Sequence, residues 1–124
     1  MTEPVFEVTK AAHFDAAHSL PDGDAARGHP RLHGHSFRVE ASVRGPRQGA
    51  VGWVTDLNAF GAALEAAARK LDHGLLNEHP GLESPTLENL CLWFAERLRP
   101  DYSGLSKVVV SRPTIGETCT LIFR

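Results

Sequence analysis

The chain has 124 residues, 42% of them hydrophobic and 23% charged. This is an ordinary soluble composition that excludes a disordered chain and fits one domain, 1–124. Thirteen basic residues against fifteen acidic ones give a net charge of −2 with His counted neutral. That leaves no electrostatic footprint for nucleic acid, and no apolar run approaches the roughly 18 residues of a membrane span. The opening MTEPVFEVTK mixes acids and a proline where a secretory signal would be apolar, so a cytoplasmic protein is expected. Cys91 and Cys119 are too few and too isolated for a disulfide framework or a Cys-rich zinc site. Histidine is the outlier: five of seven lie between His13 and His35.

In chain order, Val5, Phe6, Val8 and Phe14 with intervening polar residues predict a first strand over roughly 5–17. Its second half is rich in alanine. The Pro, Asp and Gly content of PDGDAARGHP, residues 21–30, reads as a loop. From His33 the odd positions are His33, His35, Phe37, Val39, Ala41 and Val43, and the even ones are Gly34, Ser36, Arg38, Glu40, Ser42 and Arg44. A period of two predicts a half-buried strand with the odd residues inward. After the turn-rich GPRQGAVGW, Asp56 is a good helix N-cap. Leu57, Phe60, Leu64, Ala67, Ala68 and Leu71 then recur at helical spacing. The segment DHGLLNEHPGLESP shows no strand-like alternation and reads as a loop. Ser84-Pro85 opens a second helix with proline at its first position, Leu87, Leu90, Cys91, Phe94 and Leu98 form its stripe, and Pro100 closes it. Residues 108–110 and 118–123 form a last strand pair around RPTIGE. The order β-β-α-α-β-β predicts an α+β fold, a four-stranded antiparallel sheet with two helices on one face. Its two edges suggest strand-to-strand oligomerisation.

His33 and His35, one residue apart on a strand, project from the same face. Paired imidazoles suit zinc, and His18 at the end of the first strand supplies a third ligand. Three His ligands leave one tetrahedral position open, the arrangement of a catalytic site. The same triplet reads equally well as an accidental group of half-buried imidazoles. His29 is either an exposed loop residue, held extended by Pro30, or an imidazole base. Asp72 beside His73 reads as a helix C-terminal cap or as a carboxylate fixing an imidazole tautomer. By themselves, Thr86 is a capping residue and Glu88 a first-turn acid. Cys91 and Cys119 read as core, and His13 and His79 receive no role.

Four stretches, FDAAH (14–18), RLHGHSF (31–37), LDHGLLN (71–77) and PTLEN (85–89), fall in the order and spacing of one family. The chain resembles the 6-pyruvoyltetrahydropterin synthase and 6-carboxytetrahydropterin synthase family, and the bacterial branch that makes the queuosine precursor is closest in length and in RLHGHSF. The resemblance implies zinc on His18, His33 and His35, a catalytic pair at Asp72 and His73, and pterin contacts from Thr86 and Glu88. It also implies the tunnelling fold, in which subunits pair their sheets into a barrel with active sites at the interfaces, here as a hexamer.

Two departures stand out. The bacterial branch has a cysteine base four residues before the first His of HGH; here that position is His29, the animal-type position is Arg27, and no cysteine lies in the loop. The family's pterin-anchoring Glu follows the penultimate strand, where the ungapped register gives Ser111 or Arg112. Glu117, the only carboxylate after Asp101, is taken as the anchor, which requires a longer turn. The implied activity is zinc-dependent conversion of 7,8-dihydroneopterin triphosphate with loss of triphosphate. The alternatives are a triphosphate-eliminating or aldolase reaction, since the cysteine is absent, and a non-catalytic zinc- or pterin-binding protein.

Overall fold

The computed structural model describes residues 3–124; Met1 and Thr2, which open the stretch read for a signal sequence, lie outside the described residues. Two long strands, β1 (Phe6–His18) and β2 (His33–Gly45), pair antiparallel along their whole length. The alanine-rich half of β1 stays in the strand because Ala12 and Ala16 bring the helical layer close to the sheet and are buried there. Helix α1 (Leu57–Leu71) packs on β1, and α2 (Leu87–Leu98) packs on β4 (Leu105–Arg112) and β5 (Glu117–Ile122).

The sheet corrects the four-stranded antiparallel expectation. It has five strands in the order β3-β1-β2-β4-β5, and β3 (Gly74–Leu75) runs parallel to β1 beside Ala16 and Ala17. Two residues are too few to show alternation, so the segment carries no strand signal in sequence. Tertiary bonds recruit it: His73 N–H donates to Asp15 O at 2.7 Å, and Asp15 N–H donates to Asp72 Oδ1 at 2.8 Å. Beyond that short ladder, the outer edge of β1 from Phe6 to Asp15 takes no strand among the described residues. The other edge is β5.

Asp56 caps α1 as expected, accepting from the backbone N–H groups of Asn58 and Ala59. The start of α2 is corrected. Thr86, not Ser84, is the N-cap, and its hydroxyl accepts from Asn89 N–H. Pro85 therefore precedes the cap instead of occupying the first helical position, and its carbonyl is left to bond elsewhere.

The predicted stripes form the core. Phe14 and Phe37 stack across the β1–β2 ladder at 4.9 Å, and Phe94 of α2 closes on Phe14 at 5.7 Å. Full burial of each such ring contributes roughly 1.5–3 kcal/mol. The alternation of β2 breaks once, where the outward Ser42 is buried beside a register shift against β4. Thr9 Oγ1 lies 2.7 Å from its hydroxyl, and the Ser106 hydroxyl donates to its carbonyl. No described helix is long and apolar enough to cross a membrane.

Two glycines predict opposite responses to the same substitution. In α1, a Cβ on Gly61 would meet only the flexible end of Lys10, at 2.9 Å. Gly61→Ala should therefore raise stability by about 0.5–1 kcal/mol in urea titrations. A Cβ on Gly104 would lie 2.8 Å from the backbone oxygen of Arg44, so Gly104→Ala should lower stability by about 1–3 kcal/mol in the same measurement.

Candidate metal centre

The β1–β2 register sets His18 directly opposite His33, with His35 two residues further along β2. Even residues of β1 and odd residues of β2 face the helices, so all three imidazoles converge on one side of the sheet. One ring nitrogen from each lies within 4.8 Å of the other two. His18 is fully buried.

Backbone carbonyls fix the tautomers. His18 Nδ1 lies 3.1 Å from Pro85 O, and His33 Nδ1 lies 2.7 Å from Arg31 O. A carbonyl only accepts, so each Nδ1 carries the proton and each Nε2 a lone pair. Those two Nε2 atoms face one another at 3.0 Å, and the buried Nε2 of His35 has no partner among the described residues. Facing lone pairs repel, and a buried acceptor without a donor costs about 1–3 kcal/mol. Protonation of His18 or His35 is a poor remedy. Burial, assisted by the charges of His33, His35 and Arg112, pushes His18 down to about 4 despite its bond to the Pro85 carbonyl. Burial and then Arg112 also lower His35.

A divalent cation satisfies all three nitrogens at once. Zinc takes His nitrogen at about 2.0–2.1 Å, and tetrahedral ligands at that distance stand about 3.4 Å apart, close to the spacing here. The outer bonds to Pro85 and Arg31 are the orienting contacts that metal-bound imidazoles require. The donor set fits zinc with an open fourth position.

Beside the cluster lies an open cleft of about 1140 Å³ lined by His35, Asp15, His73, Glu78, Leu32 and Ile115, among others. His73 has a left-handed backbone, φ 58°, and its Nε2 lies 3.5 Å from Asp72 Oδ2. The turn is pinned to β1 through Asp15, which places an exposed imidazole on the wall that His35 also lines. A second cleft of about 360 Å³, at the other end of the sheet beside Phe6 and Trp53, has no comparable cluster of titratable groups.

A sequence model of 6-pyruvoyl tetrahydropterin synthase matches residues 7–123. The chain belongs to that family. It is 38% identical over 119 residues to 6-carboxy-5,6,7,8-tetrahydropterin synthase of Synechocystis sp., covering 91% of this chain and 87% of that protein. It is also 34% identical over 93 residues to the dihydroneopterin monophosphate aldolase of Pyrococcus furiosus, covering 75% of each. The 6-pyruvoyl tetrahydropterin synthase of Caenorhabditis elegans shares the fold, with a TM-score of 0.82 at 22% identity and coverage of 100% of this chain and 99% of that one.

The remaining residues implied by the family resemblance fall into three groups. Glu117 begins β5 directly opposite Arg112 of β4. Between them, residues Pro113–Ile115 form one 3-10 turn, ended by Gly116 at φ 68°. Thr86 and Glu88 stand at the N-terminus of α2, Thr86 as its cap and Glu88 exposed in the first turn. His29 lies in the loop between β1 and β2, where its Nδ1 accepts from Asp24 N–H at 2.9 Å and its carbonyl accepts from Leu20 N–H. It is outside the group of three converging imidazoles.

Sequence reasoning missed three contributors. Asp15 holds the Asp72–His73 turn through backbone groups, which no side-chain pattern reveals. The carbonyl of Pro85 orients His18. Asn77 bridges the end of β1 to the following turn, accepting from Ser19 N–H at 3.0 Å and donating to Ser19 O at 2.9 Å. The signal for Asn77 was its place closing LDHGLLN.

Two outcomes are expected. One zinc per chain should bind, and His33→Ala should lose it in metal analysis. In chelator, the unfolded chain binds more protons than the folded one between pH 6.5 and about 4, because His18 is depressed to about 4 only when folded. Metal-free stability should thus be full above pH 6.5 and fall by about 3 kcal/mol as pH drops to 4. His18→Gln should flatten that dependence in thermal melts.

Proposed function

We propose that this chain is a zinc-dependent lyase acting on a dihydropterin, most like 6-carboxytetrahydropterin synthase in queuosine precursor synthesis. The implied substrate is 7,8-dihydroneopterin triphosphate. The observation that carries the reading is the converging set of three imidazole nitrogens, one ring buried and two half-buried, with an open side, in a chain similar along 91% of its length to a 6-carboxytetrahydropterin synthase. His18, His33 and His35 would hold zinc. Zinc, when bound, supplies the Lewis acidity that makes a C–H next to a side-chain oxygen easier to deprotonate.

The other steps belong to the chain's own residues. Two imidazoles are candidates for the base, and the geometry favours His73. His29 has its one neutral lone pair, on Nδ1, occupied by Asp24 N–H. His73 stands on the cleft wall with Asp72 beside it, a carboxylate placed to orient the ring. Glu117, Thr86 and Glu88 supply acceptors for the polar edge of the pterin. The free edge of β1 and the edge strand β5 support assembly of a homo-oligomer, a hexamer by family resemblance, with sites completed between subunits.

A second reading, aldolase cleavage, is favoured by the 34% identity to dihydroneopterin monophosphate aldolase. The cysteines also fit it, since Cys91 is buried in α2 and Cys119 lies in β5, neither in the loop before HGH.

The test is incubation of zinc-loaded protein with 7,8-dihydroneopterin triphosphate and chromatography of the pterins. A carboxytetrahydropterin with released triphosphate is expected. Carbon–carbon cleavage with phosphate retained on the departing fragment would establish the aldolase reading, and binding without product at any pH would overturn both. His73→Ala should lose roughly 10²–10⁴-fold in turnover with zinc content unchanged. His29→Ala should lose less than about tenfold, by loosening its loop.

A further inference from the structure

The β4–β5 hairpin carries an ion pair that neither strand pattern announced. Val108 and Val110 of β4 face the core, so Arg112, two residues on, faces the same side. Cys119, Leu121 and Phe123 pack against that core as well, which puts Glu117 on the same face. The register sets the two residues directly opposite one another. Arg112 Nε, sealed from solvent and without a hydrogen bond among the described residues, makes an ion pair with Glu117 Oε1 at 2.8 Å.

The pair is asymmetric. The Arg112 side chain is 14% exposed and that of Glu117 50%, so the cation is the buried half and the carboxylate the accessible half. The guanidinium sits 6.0 Å from the ring centre of Phe37, and its charge reaches His35, as does that of Glu117. Among the described residues, no hydrogen bond or ion pair engages Glu117 Oε2. The next residues of the turn, Thr114 and Ile115, line the cleft shared with His35 and His73. A long acidic side chain at a strand end loses rotamer entropy on being held. An ion pair to a sheltered guanidinium can hold it before ligand arrives.

We infer that Arg112 is a positioning residue: it holds Glu117 beside the metal centre as the carboxylate that accepts the paired N–H donors of a pterin-like ring edge. This rests on the reading of the chain as a pterin-binding protein. It adds a specific division of labour. Glu117 touches the ligand, and Arg112 acts only through Glu117, keeping one oxygen engaged while the other stays open. Lysine cannot reproduce the planar fork of arginine, but it retains the charge.

The experiment is a double-mutant cycle on zinc-loaded full-length protein, read by equilibrium binding of 7,8-dihydroneopterin, with zinc content and thermal melts recorded for each variant. Arg112→Gln should weaken binding about tenfold, the loss of one charge-assisted contact. Arg112→Lys should bind more tightly than Arg112→Gln. Glu117→Gln should weaken binding by at least as much as Arg112→Gln. The double variant should bind no worse than Glu117→Gln alone, because a residue acting only through Glu117 has nothing left to position. Additive losses would overturn the inference, showing that Arg112 acts independently of Glu117, and so would wild-type binding by Arg112→Gln. If the wild-type protein binds no 7,8-dihydroneopterin, the pterin reading itself falls, and the inference with it.

Discussion

Two imidazole lone pairs facing each other at 3.0 Å are the constraint on which the site depends. They are held there by carbonyls of Pro85 and Arg31, which leave neither ring free to exchange its tautomer without losing a bond. A neutral protein interior gives such an arrangement no reward, and the depressed proton affinity of His18 removes the simplest way out. A cation between the rings would turn the repulsion into attraction. Folding therefore prepares a costly arrangement, and a metal ion bound there would couple its own binding to the stability of this end of the sheet.

The surrounding structure reads as support for that arrangement. The β1–β2 ladder sets the His18–His33 opposition, and a slip of one residue would send the imidazoles of one strand to the solvent face. The stacked Phe14 and Phe37 lie next along the same face and lock the register with apolar burial. The cap of α2 directs the Pro85 carbonyl at His18, so a helix terminus serves as an orienting group for a prospective ligand. The short β3 and the Asp15 clamp bring the Asp72–His73 turn to the cleft from the other side of β1.

Family membership and the metal geometry reinforce one another without being the same argument. Similarity to a 6-carboxytetrahydropterin synthase and to a dihydroneopterin monophosphate aldolase points to pterin chemistry. The facing nitrogens would call for a cation even if no relative were known. What distinguishes this chain is concentrated in two segments. One is the loop before HGH, where the His29 imidazole is tied to Asp24. The other is the β4–β5 turn, where Arg112 meets Glu117.

Much of this was legible before any coordinates. Period-two alternation from His33 and the stripes of α1 and α2 specified the elements because burial of one face imposes its period on the residues. That His33 and His35 share a face followed from the same rule, whereas His18 was a candidate only from its place at the end of the first strand, and the β1–β2 register brings it to them. Strand β3 was invisible because two residues carry no period and its pairing comes from backbone bonds to Asp15. The start of α2 was placed two residues early because Pro85 suits a first helical position, whereas the reading of Thr86 as a capping residue was the right one. The sequence by itself determined which side chains could share a face, through local periodicity. Only the tertiary structure decided which lone pairs confront one another and that Arg112 meets Glu117, because those depend on register between segments distant in the chain.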